Sequence, residues 1–404
     1  MTTTGTVRSY PFGEPDALEL EPILRELRAT EPLSRVVLPH GGEAWLATRF
    51  ADVRTVLADP RFSRAVTVGA DVPRVRPEID DNAASILNMD PPDHTRLRRL
   101  VATAFTARRV EQLRPRATEL TAEMLAGMRA AGPGADLVEH VSMPLPVTII
   151  CELLGVPVTD RAIFRAGADA ALSTSSRTPE QRETARTEML AYMAELVAQR
   201  RAEPREDLLS ALVTAHDDGD RLTTDELVGL GVGILIAGHE TTMNMIGNMT
   251  FLLLTRPDRG APLRGDGPAA KEAITRGVEE LLRYTPLGAS AGFPRIATED
   301  LELSGVRVRA GDAVIAVVHA ANRDPEVFDR PEELVLDRPT GPTVAFGYGP
   351  HHCLGAQLAR MELQEAIGAL LREFPDLRLA IPADEVPWRR GALVRGPEQL
   401  PLDW

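Results

Sequence analysis

The residues best equipped for chemistry form one ten-residue run, Phe346-Gly347-Tyr348-Gly349-Pro350-His351-His352-Cys353-Leu354-Gly355. Its three glycines admit backbone conformations and close approaches that a Cβ would block. A helical apolar period runs from Leu354 to Leu371, so Cys353 is expected where a helix begins. Free N–H groups and positive potential at a helix N-terminus favour a thiolate over a thiol. A thiolate on a glycine-rich loop, with flat clearance beside it, suits axial ligation of heme iron. The other cysteine, Cys151, stands in an apolar stretch and reads as a small buried hydrophobe. Two cysteines so far apart make neither a disulfide framework nor a four-thiolate metal site.

A second run, Ala237-Gly238-His239-Glu240-Thr241-Thr242, interrupts an apolar segment. A polar cluster inside a buried helix is costly unless partners or waters satisfy it. By itself it reads equally as a hydrogen-bonded core patch or a kink. Glu280 and Arg283, three apart, form an ordinary helix pair. His94 and Arg98, four apart, share a helix face that suits buried carboxylates or is simply a solvated basic face. From His94 to Arg116 seven arginines (96, 98, 99, 108, 109, 114 and 116) face one acid, Glu111. That island suits docking of an acidic redox partner, or is an arginine-rich solvated helix.

The elements that must position these residues are mostly helical. Helical periods cover Asp93 to His140, broken at Gly132-Pro133-Gly134, then Val147 to Leu154, Asp160 to Arg201 with an interruption at Ser173 to Pro179, and Asp207 to Ala215. Thr223 to Glu226 gives a capping pattern before the apolar helix 226–254, and Ala269 to Tyr284 follows. Short strands are expected at Val36 to Leu38 and Ala44 to Ala47 as a hairpin, and at 301–303, 306–308 and 313–318. The stretch from Ser63 to Asn88 has no clear period and reads as a long functional loop.

Composition bounds the rest. The chain has 404 residues, 44% hydrophobic and 26% charged, an ordinary globular balance. The formal net charge of -14 argues against nonspecific nucleic-acid binding. The longest apolar run, Leu227 to Gly238, is too short for a bilayer, and Met1 to Tyr10 lacks a signal-peptide core. A cytoplasmic protein is expected, with no membrane and no nucleic-acid partner.

With these motifs the chain resembles the cytochrome P450 family of heme-thiolate monooxygenases, over nearly its whole length. The resemblance implies a mainly α fold with small β-sheets, the triangular prism of that family, as a single domain over 1–404. It implies heme b (iron protoporphyrin IX) between the central and cysteine helices, with Cys353 as iron ligand and Phe346 packed near the thiolate. Gly347, Gly355 and Ala237 would border the heme; His94, Arg98, His351 and Arg295 (in Phe293-Pro294-Arg295-Ile296-Ala297) would meet its propionates. Thr241 would hydrogen-bond dioxygen or its water, and Glu240 would supply protons; His239 receives no role. Glu280 and Arg283 would brace the core with a third arginine. Glu333 stands where that arginine is usual, leaving Arg330 or Arg338 as its replacement.

The family positions of the substrate pocket are the 63–88 loop, the region from Leu172 to Thr178, Gly233, Ala237, Ala289, Ser290, Ala291, Gly292, Phe293 and Leu393. Their small side chains favour a bulky, largely apolar substrate such as a macrolide or other polyketide. The implied activity is insertion of one oxygen atom from O2, by hydroxylation or epoxidation, in natural-product tailoring. Oxidative coupling or ring formation on an aromatic, terpenoid or peptide substrate is the alternative, and a noncatalytic heme sensor a further one. Electrons would come from NAD(P)H through a ferredoxin reductase and a ferredoxin, to a monomer.

Overall fold

Period-two alternation and helical periods fall into place in a computed structural model, which describes residues 7–14, 16–160, 167–217, 222–256, 263–265, 267–288 and 292–404. The principal helices are α1 (Pro22–Thr30), α2 (Phe50–Ala58), α3 (Asp93–Ala102), α4 (Ala107–Ala131), α5 (Pro144–Leu154), α6 (Pro179–Ala202), α7 (Leu208–Asp217), α8 (Thr224–Thr255), α9 (Gly267–Tyr284) and α10 (Ala356–Glu373). The strands are β1 (Arg8–Ser9), β2 (Leu33–Val37), β3 (Glu43–Ala47), β4 (Phe62–Ser63), β5 (Ala135–Asp136), β6 (Arg295–Ala297), β7 (Leu301–Leu303), β8 (Val306–Val308), β9 (Ala313–Ala316), β10 (Arg378–Leu379) and β11 (Pro401–Asp403). The fold is mainly α with small sheets. The chain divides into two units, 1–98 with 288–333 and 342–353, and 99–287 with 334–341 and 354–404.

The first unit is built on a six-stranded sheet in the order β1-β2-β3-β9-β6-β4. The expected hairpin pairs β2 with β3 from Leu33↔Ala47 to Val37↔Glu43. Successive side chains of a strand point to opposite faces. Accordingly Ala44, Leu46, Ala313 and Ile315 pack with Leu24 and Leu27. Ala47 and Val314 pack with Phe50, Val53, Val56 and Val344. Covering both faces leaves the sheet strands apolar and ties α2 to the segment that leads into the cysteine loop. The 63–88 stretch is a loop with short 3-10 turns, as its lack of period implied. It closes over the hairpin turn, where a Cβ on Gly41 (φ +73°) would lie 1.9 Å from Val72 O.

The second unit is helical around α8. Thr223 caps that helix reciprocally: its hydroxyl accepts from Glu226 N at 3.1 Å, and Glu226 accepts from Thr223 N at 2.7 Å. α8 packs against α5, α6, α7 and α10, and α10 in turn against α4 and α9. Gly238 permits the α5 approach, since a Cβ there would lie 2.6 Å from Ile150 Cγ1. The helical reading of 93–140 needs correction near its end. After Gly132 the chain is captured as β5 by β11, and a π-helical turn, Val138–Ser142, follows. That pairing joins residues far apart in sequence, so it overrides the local period. Among the described residues, no helix is long and apolar enough to cross a membrane.

Candidate active site

Cys353 ends its loop two residues before Gly355, the N-cap of α10. The helix begins at Ala356 rather than Leu354, because Gly355 takes the cap position that glycine tolerates well. The loop is shaped by Gly347 (φ +73°) and Gly349 (φ +71°). Gly347 N donates to Val344 O at 2.8 Å, His352 N to Gly349 O at 3.0 Å and Cys353 N to Phe346 O at 2.8 Å. These ties leave the Cys353 side chain exposed and outside any disulfide, whereas Cys151 is buried as expected.

In the same unit a basic cluster gathers beside that loop. His94, in the first turn of α3, is buried, and its ring lies 4.2 Å from that of His351. Burial, then Arg98, pushes His94 below its ordinary pKa. Burial, helped by His94, Arg295 and Arg64, takes His351 down to about 3. Arg295 is lowered by burial, and Arg64 falls to about 10 through burial and the nearby Arg295. Arg98 Nη2 donates to His352 O at 2.5 Å; burial lowers its pKa while the charge of Cys353 acts the other way. Asp90 lies among these cations, but its carboxylate already accepts from Arg64 N at 2.9 Å and from the Ser63 hydroxyl. Arg64 donates to Leu87 O, Pro294 O and Asn88 Oδ1, and Asp80 and Asp90 oppose its charge, yet the cluster keeps an excess of positive charge that favours an anion beside it. A ligand that carries two carboxylates and takes a sulfur donor from the exposed Cys353 is the chemistry that fits. The donor set therefore matches heme.

In the second unit α8 is buried nearly all round. Beyond its exposed first turn, a stripe at i, i+4 and i+8 stands out: Gly233 and Ala237 are exposed and Thr241 is half-buried. A Cβ on Gly233 would meet nothing within 4 Å, so the stripe borders open space. Thr241 Oγ1 donates back to Ala237 O at 2.9 Å. Glu240, on the next position round the helix, is only 2% exposed. Its Oε2 accepts from Arg389 Nη1 at 2.8 Å, and Asn244 Nδ2 lies 3.4 Å away. His239 is also buried; its Nδ1 meets Leu235 O at 2.7 Å, and its Nε2 has no hydrogen-bond partner.

The brace is assembled, with its third member identified. Arg283 Nε donates to Glu280 Oε2 at 2.7 Å and Arg283 Nη2 to Oε1 at 2.8 Å. Arg338 Nε reaches the same Glu280 Oε2 at 3.0 Å, and Val335 N donates to Oε1 at 2.8 Å. Arg338 is therefore the third arginine. Arg330 instead pairs with Glu333 and Asp329 in a more exposed setting.

Of the pocket positions, Phe293 is exposed with the Arg64 guanidinium 5.1 Å over its ring. Leu393 N donates to Leu172 O at 2.8 Å, joining two expected pocket segments. Ala289, Ser290 and Ala291 lie outside the described residues. The arginine island is not uniformly solvated. Arg114 binds Glu111 and Glu365, and Arg116 binds Glu152 and Glu119. Arg99, Arg108 and Arg109 are exposed.

Sequence reasoning missed Arg64 and Asp90 in the basic cluster, Arg389 on Glu240, and Glu362. Glu362, on α10, is fully buried, and burial pushes its pKa up to about 8, with Thr242 pulling the other way.

An exposed cysteine on a glycine-shaped loop beside buried arginines is the donor set of a heme-thiolate protein. The family model for Cytochrome P450 matches residues 273–389. The chain is 52% identical to nocardicin C N-oxygenase of Nocardia uniformis subsp. tsuyamanensis, over 100% of both chains. It is 48% identical to the mycinamicin IV hydroxylase/epoxidase of Micromonospora griseorubida, again over 100% of both. A solved cytochrome P450mel with biaryl coupling reactivity superposes with a TM-score of 0.94 at 46% identity, covering 99% of this chain and 100% of that one. The chain belongs to the cytochrome P450 family. It is an oxidoreductase of the monooxygenase class, with heme iron as cofactor and redox partners as the source of electrons.

Proposed function

We propose that this enzyme inserts one oxygen atom from O2 into a bulky, largely apolar natural product of the macrolide or polyketide kind. The observation that carries the reading is the open Gly233–Ala237–Thr241 stripe, whose small side chains leave room beside a polar groove. The relatives support it, one a nocardicin C N-oxygenase and the other a mycinamicin IV hydroxylase/epoxidase.

Bound heme supplies the redox chemistry that activates dioxygen toward unreactive bonds. Cys353 is the residue that would hold its iron, with Phe346 and Gly347 shaping its loop. His94, Arg98, Arg295 and His351 would pair with its two carboxylates, and Arg64 deepens the same positive field. Thr241 presents a hydroxyl at the open stripe; with its proton donated to Ala237 O, the oxygen is left as an acceptor there. Glu240 is the carboxyl group that brings protons to that stripe. Glu280, Arg283 and Arg338 keep α9 fixed to the 334–341 segment.

The exposed Arg99, Arg108 and Arg109 suit an acidic ferredoxin, reduced by NAD(P)H through a ferredoxin reductase. The protein acts as a cytoplasmic monomer. A second reading, oxidative coupling, is favoured by the relative with biaryl coupling reactivity.

The test is a library of macrolides, other polyketides and peptides screened by the substrate-induced spin-state shift, followed by turnover under isotopic dioxygen. One labelled oxygen in the product is the expected result. A product that gains a ring or a biaryl bond and no label would replace oxygenation with coupling.

A further inference from the structure

Arg389 serves two carboxylates. Its Nη1 donates to Glu240 Oε2 at 2.8 Å, and its Nη2 donates to Asp169 Oδ1. Glu240 is nearly sealed from solvent, whereas Arg389 and Asp169 have side chains 21% and 24% exposed. A buried carboxylate that loses its cation is strongly penalised, so the guanidinium is Glu240's principal charge partner. Among the described residues, the other ionisable group within ion-pair distance of Glu240 is His239, whose Nε2 stands 3.7 Å from Oε1, too far for a hydrogen bond.

The three residues sit on three separate segments, and the backbone couples two of them. Gly391 O accepts from Thr174 N at 2.7 Å, Ser175 N at 3.2 Å and Ser176 N at 3.3 Å. Gly391 has φ +61°, and a Cβ there would lie 2.5 Å from Ser175 Oγ and 2.9 Å from Ser176 N. Only glycine permits that approach. On its other side the same strap is fixed to α8, where Asn248 Nδ2 donates to Arg395 O at 3.0 Å. Gly396 packs so closely on α8 that a Cβ there would lie 1.8 Å from Asn244 Oδ1. Arg389 thus rides on a strap held by the proton-delivery helix and by the 172–176 segment.

We propose that Arg389 is a positioning residue for Glu240, and that Asp169 competes with Glu240 for the same guanidinium. The packing of the 172–176 segment then sets how firmly Glu240 is held. The inference rests on the reading of Glu240 as the proton-delivering carboxyl group. A forked guanidinium can hold two carboxylates at once, which a lysine ammonium on a flexible stem does less well.

Two experiments on the heme-loaded protein test it. The first is a urea-unfolding cycle with Asp169→Asn, Glu240→Gln and the double variant. Competition predicts non-additivity, because removing either acid leaves the whole guanidinium to the other. Additive losses overturn the sharing. The second uses a surrogate ferredoxin–reductase pair with NADPH and no added substrate, reading peroxide released per O2 consumed and the solvent isotope effect. Arg389→Met raises the peroxide-to-water ratio about tenfold, within the hundredfold that misplacing a reacting group by about 1 Å can cost. Arg389→Lys recovers part of that loss, and Asp169→Asn enlarges the solvent isotope effect by tightening the hold on Glu240. An unchanged ratio in Arg389→Met, or an unchanged isotope effect in Asp169→Asn, overturns the positioning role. Loss of the thiolate signature in the wild-type carbon monoxide spectrum would instead sink the functional reading, and the unfolding cycle would still decide the sharing.

Discussion

Glu362→Gln changes the pH dependence of stability by an amount that follows from one buried carboxyl group. Glu362 is 0% exposed, and burial outweighs the pull of the neighbouring Thr242 hydroxyl. Burial raises its pKa from an ordinary 4.5 to about 8. Between those values the folded chain keeps a proton that the unfolded chain has released. The folded state binds more protons there, so stability falls as pH rises, and the loss is complete above the folded pKa. The penalty grows by about 1.4 kcal/mol per pH unit, which gives about 3 kcal/mol between pH 5 and pH 7.5. Glutamine keeps the shape and cannot titrate. Urea midpoints of the heme-loaded proteins, followed by circular dichroism across that interval, give the difference between wild type and variant. Other titrations cancel in that difference. The variant should gain about 3 kcal/mol on the wild type as pH rises. Parallel curves would refute the reasoning, because they would mean that Glu362 titrates alike in the folded and unfolded chains.

The other predictions concern the brace, the loop and the basic cluster. Arg338→Ala leaves the buried Glu280 with one guanidinium fewer and should cost about 2–3 kcal/mol in urea unfolding, whereas Glu333→Ala should cost under about 0.5 kcal/mol. Gly349→Ala forces a Cβ to within 2.7 Å of Leu57 O in a left-handed conformation. It should cost more than about 1 kcal/mol and lower heme content on purification. Arg98→Ala removes a cation beside Cys353 and should speed heme transfer to apomyoglobin about tenfold, as expected for one charge-assisted contact of about 1.5 kcal/mol.

Legibility in the sequence followed distance along the chain. The cysteine loop was readable because glycines and cysteine lie within ten residues, and the capping box of α8 because Thr223 and Glu226 are three apart. The stripe Gly233–Ala237–Thr241 follows from helical geometry once the helix is recognised. Arg338 could be narrowed to one of two candidates but not chosen, because its partner lies 58 residues earlier on α9. Arg389 carried no local pattern at all; its importance comes from carboxylates 149 and 220 residues away. Glu362 looked like one more helical acid, and only tertiary packing shows that it is buried. The strand β5 was read as helix because its partner β11 lies at the far end of the chain.

The central claim is that Cys353 is the thiolate ligand of heme iron. Its most direct test is the carbon monoxide difference spectrum of the dithionite-reduced protein, recorded for wild type and Cys353→Ser. A thiolate-ligated complex absorbs far to the red of an imidazole-ligated one. The wild type should show that red-shifted Soret band, and the variant should lose it. A wild-type protein that binds no heme, or a variant that keeps the red-shifted band, would contradict the assignment of Cys353.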